Sequence, residues 1–231
     1  MVTERAYWFL VGVLLNPHLL EEVKAVLALL HSCQIRAAIA QIDRQLMVPQ
    51  TKTSVRLEYE FMLVRALHDQ QDLSRLHTLC EQIVANADDS CQAWINVGYA
   101  RVHLGDPVRG LIAYRKAESL ADPSANLTEW LRAVMGRINC VCQTQGPRFS
   151  LDQFKEANLE GLSDNSDLSA VNQISIVLLK AYLLREAGDF HGALNSSWKA
   201  YGMVSQCGSL HLNYCVLFDL LTRPEVVYHK C

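Results

Sequence analysis

Apolar residues recur at spacings of three and four along most of the chain, and no long segment alternates apolar with polar residues. Spacings of three and four place side chains on one face of a helix, whereas strict alternation is typical of a strand. The sequence therefore predicts an all-α protein without a sheet. The predicted helices cover residues 6–15, 19–31, 35–47, 54–68, 73–86, 92–104, 107–120, 126–144, 151–162, 168–187, 190–204 and 209–221.

Local signals support several of these helix ends. Asp106 followed by Pro107 combines an N-cap residue with a proline in the first helical turn. Gly146-Pro147 ends the helix that begins near Asn126, because proline cannot continue a helix. The interval from Ser163 to Asp167 is the most polar in the chain, and its composition predicts a flexible loop.

One stretch carries a recognisable motif. Trp94, Val97 and Gly98 are followed by a Leu-Gly-Asp turn and then by Gly110, Tyr114, Ala117 and Pro123. This pattern resembles the tetratricopeptide repeat, a 34-residue helix-turn-helix unit with a Trp-x-x-Leu-Gly start and a closing proline. The small and apolar character recurs one repeat earlier, and Gly188, Ala193 and Ala200 restate the spacing further along.

The resemblance implies an α-solenoid of antiparallel helix pairs wound into a right-handed superhelix, read as one continuous domain over residues 1–231. Residues 1–52 would hold an apolar helix and a degenerate hairpin, and residues 53–124 two clear repeats with Trp94, Leu111 and Tyr114 packed between them. An atypical lengthened pair would occupy 125–165, where Arg132 replaces the small residue of the family. Residues 166–231 would form a further repeat and a C-terminal capping helix.

In this family the first helices of successive repeats line a groove that holds a segment of another protein. Asn96 follows Trp94 by two residues, where many peptide-binding members carry an asparagine that bonds the ligand backbone. The lysine and asparagine of the chaperone-binding clamp are replaced by Phe61 and Arg65, which favours a different ligand. The residues that the resemblance directs into the groove are Phe61, Arg65, Asn96, Tyr99, His103, Arg137, Tyr182 and Arg185.

The implied function is a non-enzymatic scaffold, adaptor or chaperone that binds a protein segment in this groove. The alternative is a regulatory or sensor module that binds a short peptide signal or serves as a subunit of a larger complex. Enzymatic activity is not predicted, because the chain has no Gly-rich phosphate loop, nucleophile elbow or His-Glu-x-x-His pattern.

The first predicted helix, residues 6–15, is apolar on every side and must therefore be covered. A solenoid needs polar faces at its ends, so this helix is expected to mediate self-association or to seal an interface with an obligate partner. The residues predicted for that contact are Tyr7, Trp8, Leu10 and Val11.

Charge and hydrophobicity limit the kinds of partner and the cellular location that we expect for this protein. The chain has 21 basic and 24 acidic residues without a basic cluster, which argues against nucleic acid. It has no apolar run of 18 residues and no secretory leader, so we expect a protein that does not span a membrane and is cytoplasmic.

The eight cysteines are predicted to be free thiols in helices, with neither metal nor other cofactor bound. A zinc site is the less favoured alternative. Its candidate ligands are Cys207, His211 and Cys215, the Cys140-x-Cys142 pair, and the His229-x-Cys231 pair.

Overall fold

The computed structural model describes residues 21–32, 34–49, 53–87, 89–165 and 168–206, and within these ranges it contains eleven helices and no strand. The all-α prediction is confirmed for this part of the chain. The predicted helices at 6–15 and 209–221 lie outside the described residues. In chain order the helices are α1 (Glu21–His31), α2 (Ile35–Leu46), α3 (Thr53–Asp69), α4 (Leu73–Ala85), α5 (Cys91–His103), α6 (Pro107–Leu120), α7 (Leu127–Gln145), α8 (Pro147–Glu156), α9 (Leu159–Ser163), α10 (Ala170–Glu186) and α11 (Phe190–Gln206).

The contacts between helices divide the chain into two compact units, one ending at Cys140 and the other beginning at Val141. We refer to them as the first and second units. The helix α7 contributes its residues up to Cys140 to the first unit and the rest to the second. The single continuous domain expected from the sequence stays a prediction.

In the first unit, each helix from α1 to α6 packs on the next one along the chain. The helix α3 also contacts both α1 and α5, so it lies beside two helices that are not its immediate neighbours in sequence. Sequential packing of this kind follows when connections are short, because adjacent helices are held close together. The arrangement places α3 and α5 side by side.

Side-chain caps explain where three of these helices begin. Asp72 accepts a hydrogen bond from the backbone N–H of Arg75, and Asp106 accepts one from that of Arg109. Ser90 caps α5 in the same way through the N–H of Ala93. Each cap satisfies a donor that would have no partner within its helix, and the start predicted at Asp106-Pro107 is confirmed.

Tyr114 is the centre of the packing between α5, α6 and α7. Its buried ring lies between two glycines on the neighbouring helices, and a Cβ atom at Gly98 would come within 2.8 Å of the ring. A Cβ atom at Gly136 would lie only 2.2 Å from ring atom Cε1. Tyr114 and Leu111 are buried as predicted, but Trp94 is only half-buried, because the aromatic ring at this core is supplied by Tyr114 from α6.

The second unit is built around α10, which packs on α8, α9 and α11. The sequence predicted one helix over 151–162, whereas the structure has α8 and α9 separated at Asn158. Asn158 adopts the left-handed conformation with φ at 50°, which asparagine tolerates better than most residues. This residue ends one helix and begins the next. The predicted loop is described only in part, since Ser163 is the last residue of α9 and residues 166–167 lie outside the described ranges.

Candidate functional site

A group of polar and aromatic side chains runs along the contact between α3 and α5 in the first unit. On both helices the members recur at intervals of three or four residues, apart from the adjacent His68 and Asp69, so each set lies along one side of its helix. Arg132 of α7 joins them at one end. We call this group the α3–α5 cluster, and it consists of Glu58, Phe61, Arg65, His68 and Asp69 from α3, Gln92, Asn96, Tyr99 and His103 from α5, and Arg132.

Four rings form a continuous series through the cluster. Phe61 and Tyr99 are stacked with their centroids 4.3 Å apart and their planes at 23°. Tyr99 then meets His103 edge-on at 4.3 Å, and His103 lies 4.3 Å from His68. Such contacts between rings add stability beyond the area they bury. The series therefore couples the positions of α3 and α5.

Arg132 organises the polar end of the cluster. Its Nη1 atom donates to Gln92 Oε1 at 2.9 Å and lies 3.4 Å from Glu58 Oε1. Its guanidinium carbon is 5.7 Å from the centre of the Phe61 ring. Only 5% of the side chain is exposed, so this cation is held by a carboxylate, an amide and an aromatic face in a largely dry environment.

Asn96 is hydrogen-bonded on both sides of its amide. Its Nδ2 donates to the carbonyl oxygen of Leu57 at 2.8 Å, and its Oδ1 accepts from Gln92 Nε2 at 3.0 Å. The bond to Leu57 connects α5 to the backbone of α3. The residue is fully buried, so the expectation that its amide faces a ligand rather than the protein core is corrected by the structure.

The physical reason for this correction is the direct contact between α3 and α5. A face shared by two packed helices becomes interior, and its polar atoms then need partners inside the protein. Phe61 and Tyr99 are buried in the same contact. Of the predicted groove residues in the cluster, Arg65 and His103 keep part of their surface accessible.

The accessible end of the cluster carries charged and titratable groups. Arg65 Nε donates to Asp69 Oδ2 at 2.8 Å, and Asp69 Oδ1 lies 3.8 Å from His68 Nδ1. His103 is in ring contact with His68 across the two helices. We call these four residues, Arg65, His68, Asp69 and His103, the rim. It brings a cation, a carboxylate and two imidazoles together in side chains that are each partly exposed.

Tyr99 lies directly beneath the rim. Burial raises the pKa of its phenol to about 12, although the nearby Arg65 guanidinium lowers it. The phenol is therefore neutral at physiological pH and keeps its proton. It serves as a fixed polar support for the Arg65 side chain rather than as an acid or base.

The remaining predicted groove residues are placed elsewhere. Arg137 Nε donates to Glu118 Oε2 of α6 at 2.7 Å, so it belongs to the contact between α6 and α7. Arg185 lies over the Tyr182 ring at 5.2 Å, and both belong to α10 in the second unit. The predicted association residues Tyr7, Trp8, Leu10 and Val11 lie outside the described part of the chain.

Sequence reasoning missed five members of the cluster, namely Glu58, His68, Asp69, Gln92 and Arg132. Arg132 stood out only as a large residue at a position where the family has a small one. A usable signal was present, because Gln92 precedes Asn96 by one helical turn inside an otherwise apolar run. Two amides at that spacing in a buried helix indicate an internal hydrogen-bond network.

Four cysteines within the described residues are free thiols, and all four are buried. They are Cys80, Cys91, Cys140 and Cys142. Within the ranges that the structure describes, no group of three or more potential ligands is arranged to hold a metal ion. The candidates Cys207, His211, Cys215, His229 and Cys231 lie outside those ranges.

Burial of these thiols leads to a testable pH dependence. It raises the pKa of both Cys91 and Cys140 to about 12, well above the value of roughly 8.5 for an exposed thiol. The folded protein therefore holds these protons more tightly than the unfolded chain. This contribution to stability is complete below the pKa of the thiols in the unfolded chain. It is lost as the pH rises toward their higher pKa in the folded protein. We expect the melting temperature to fall progressively above about pH 9.

Thermal unfolding followed by circular dichroism from pH 7 to pH 11 measures this effect. The double variant Cys91→Ala, Cys140→Ala should lose less stability over the alkaline range than the parent chain, because it has two fewer thiols to ionise on unfolding. An equal alkaline slope in the two proteins would show that these thiols do not control the dependence.

The chain matches no protein-family model, and comparison with curated proteins and with solved structures finds no significant match. None of the helices in the described ranges is both long enough and apolar enough to cross a membrane.

Proposed function

We propose that this chain is a non-enzymatic interaction protein, an adaptor or chaperone built as a tetratricopeptide-like α-solenoid, that binds a segment of a partner protein at the rim. The sequence motif around Trp94, Gly98 and Tyr114 supports this fold, and so does the sequential packing of the helices. Contacts of α3 with both α1 and α5 are what a stack of helix pairs requires, since alternate helices then lie side by side.

The observation that carries the proposal is the rim, where α3 and α5 end beside each other. Arg65 and Asp69 are paired with each other while 12% and 13% of their side chains stay exposed. A partner segment can exchange hydrogen bonds with such a pair without forcing a bare charge into the interior. The stacked rings beneath hold these groups in place, which limits the entropy lost on binding.

The chemistry of the rim favours a polar peptide segment. Guanidinium and imidazole groups donate to backbone carbonyl or carboxylate oxygens, and Asp69 accepts from backbone N–H or from a cationic side chain. Binding energy at protein interfaces is concentrated in a few anchors, among which arginine is enriched. Arg65 is the residue that we expect to contribute most.

The test begins with site-specific photocrosslinking of the full chain in its native cell. A benzophenone amino acid is introduced at Gln70, an exposed position next to the rim, and in a second bait at Ile112, an exposed position on α6. Cross-linked proteins are identified by mass spectrometry. We expect a defined partner to be captured from Gln70 and not from Ile112.

The captured partner is then purified and titrated against variants of the full chain. Replacing Arg65 by glutamine should weaken binding about tenfold, which corresponds to about 1.4 kcal/mol. The matched control is Arg115→Gln, an exposed arginine of α6 outside the rim, which should leave the affinity unchanged. Equal affinities for both variants, or a partner captured at Ile112 alone, would exclude the rim as the binding surface.

A second candidate function, a fixed subunit of a larger complex, is favoured by one further observation. Val108 and Ile112 lie one turn apart on α6 and are 59% and 62% exposed. Neighbouring exposed apolar side chains often mark a contact with another protein. Capture of a stoichiometric partner from Ile112 in the same experiment would support this function instead.

A further inference from the structure

A cavity of about 420 Å³ lies among α2, α3 and α4 in the first unit. Both α2 and α4 pack on α3, and all three helices contribute side chains to its lining. Its volume falls in the range of small-ligand pockets, about 300 to 1,000 Å³. We call it the α2–α4 cavity. None of the four rim residues lines it, so it is a separate place on the first unit.

The charged side chains of the cavity form two ion pairs. Arg56 Nε donates to Glu60 Oε1 at 3.2 Å within α3. Arg75 of α4 donates to Asp43 of α2, which connects two helices that lie on either side of the cavity. The described lining residues therefore include two cations and two carboxylates, and their charges cancel. A ligand that complements such a lining carries charges of both signs.

Glu60 is the most buried of these four groups. Its side chain is 13% exposed, whereas that of Arg56 is 53% exposed. Burial raises the pKa of the Glu60 carboxyl, and the adjacent Arg56 guanidinium offsets only part of this effect. The carboxylate is thus incompletely stabilised by its present partner. A second cationic donor placed beside it would stabilise the charge further.

Arg56 is free to take a different partner when such a donor arrives. Its side chain is mostly in water, and an ion pair with so exposed a member contributes little stability. A guanidinium binds a carboxylate through two parallel hydrogen bonds, which fixes the orientation of the bound group. A cation at Glu60 and a carboxylate at Arg56 would therefore occupy neighbouring positions.

The remaining lining includes an apolar surface. Each of the three helices supplies one leucine to it, and two of the three are buried. The leucines are Leu46, Leu63 and Leu79. An apolar group of a ligand gains free energy by leaving water for this surface.

We propose that the α2–α4 cavity binds a zwitterionic α-amino acid with an apolar side chain. The ammonium group pairs with Glu60, the carboxylate pairs with Arg56, and the side chain lies against the leucines. An amino acid carries its two charges on either side of one carbon atom, which suits the adjacent groups of the Arg56–Glu60 pair. This binding site is independent of the function assigned to the rim.

Calorimetric titration of the full chain with leucine, methionine and phenylalanine tests the proposal. We expect at least one of the three to bind, and glycine to bind at least about tenfold more weakly because it has no side chain to bury. The N-acetyl and amide derivatives of the bound amino acid each remove one charge, and each should bind at least about tenfold more weakly. No binding by any of the three would overturn the proposal, and so would equal binding of either derivative.

Variants of the full chain locate the bound amino acid. Glu60→Gln and Arg56→Gln should each weaken binding at least about tenfold, because each removes one charge partner of the ligand. The matched controls are Glu81→Gln, which breaks the ion pair with Arg101 outside the cavity, and Arg115→Gln on the exposed side of α6. Both controls should leave the affinity unchanged.

Thermal unfolding of each variant shows whether it is folded. If Glu60→Gln lowers the melting temperature, Arg56→Gln decides the outcome, because Arg56 is mostly exposed. Undiminished binding by Arg56→Gln would overturn the proposal. Equal weakening by the two control variants would also overturn it, since the amino acid would then bind outside the α2–α4 cavity.

Discussion

Replacing Gly136 with alanine is expected to lower the free energy of unfolding of the first unit by about 3 kcal/mol. The added Cβ atom would lie 2.2 Å from Cε1 of Tyr114, a distance at which something must move. The ring cannot simply move away, because Gly98 of α5 lies close against its other edge. The clash therefore outweighs the gain of up to about 1 kcal/mol that alanine normally brings to a helix.

Urea denaturation of the purified chain measures this loss of stability. Two further variants test whether the clash with the Tyr114 ring causes it. Gly202→Ala in α11 places a Cβ atom where nothing lies within 4 Å, so it should be neutral or stabilising. In a Tyr114→Leu background, Gly136→Ala should cost less than about 1 kcal/mol, because the obstructing ring is gone. A full cost in that background would show that the penalty does not come from Tyr114.

Replacing Arg132 with methionine is expected to destabilise the first unit by about 3 kcal/mol. Methionine keeps the length of the side chain and its contact with Phe61 but removes the charge and all the donors. Gln92 Oε1 then loses its donor, and Glu58 loses the cation 3.4 Å from its carboxylate. Leaving a charged or polar group largely buried without its partner costs more than the original pair contributed.

Thermal and urea unfolding measure this change against Arg115→Met, which removes an exposed arginine of α6 and should alter stability by less than about 0.5 kcal/mol. A double-mutant cycle with Glu58→Gln isolates the ionic part, since the glutamine should cost less once Arg132 is absent. Stability of Arg132→Met within about 1 kcal/mol of the parent would mean that the buried network is not needed for folding.

Asn96 reports on folding rather than on binding, because both sides of its amide are hydrogen-bonded inside the protein. Its alanine variant would remove the bond to the Leu57 carbonyl and leave Gln92 Nε2 without its acceptor inside the packed contact, so it would act on folding before it acted on any ligand. Arg65 is the better probe of binding, because its ion pair with Asp69 lies at the accessible rim. Asn96 is therefore assigned to folding because it is fully buried, and Arg65 to binding because it is partly exposed.

The all-helical character and many helix ends could be predicted because they depend on nearby residues. Asp106 caps α6 through the backbone N–H of Arg109, three residues away, and Pro107 suits the first turn whatever surrounds it. The resemblance likewise predicted that Tyr114 and Leu111 pack in the core, and both are buried. The break at Asn158 was missed, since asparagine permits the left-handed conformation without requiring it.

The candidate site could be predicted only as a set of helical faces. The sequence by itself determined that Phe61 and Arg65, or Asn96, Tyr99 and His103, share a face, because the period of the helix sets that. Only the tertiary structure decided that these two faces meet, which buries Asn96 against Leu57 and leaves Arg65 at the rim. It also brought Arg132 of α7 to Glu58 of α3, a contact between residues far apart in the chain. Local chemistry selects the helices, but the partner of each face depends on how all of them bury their apolar surface together.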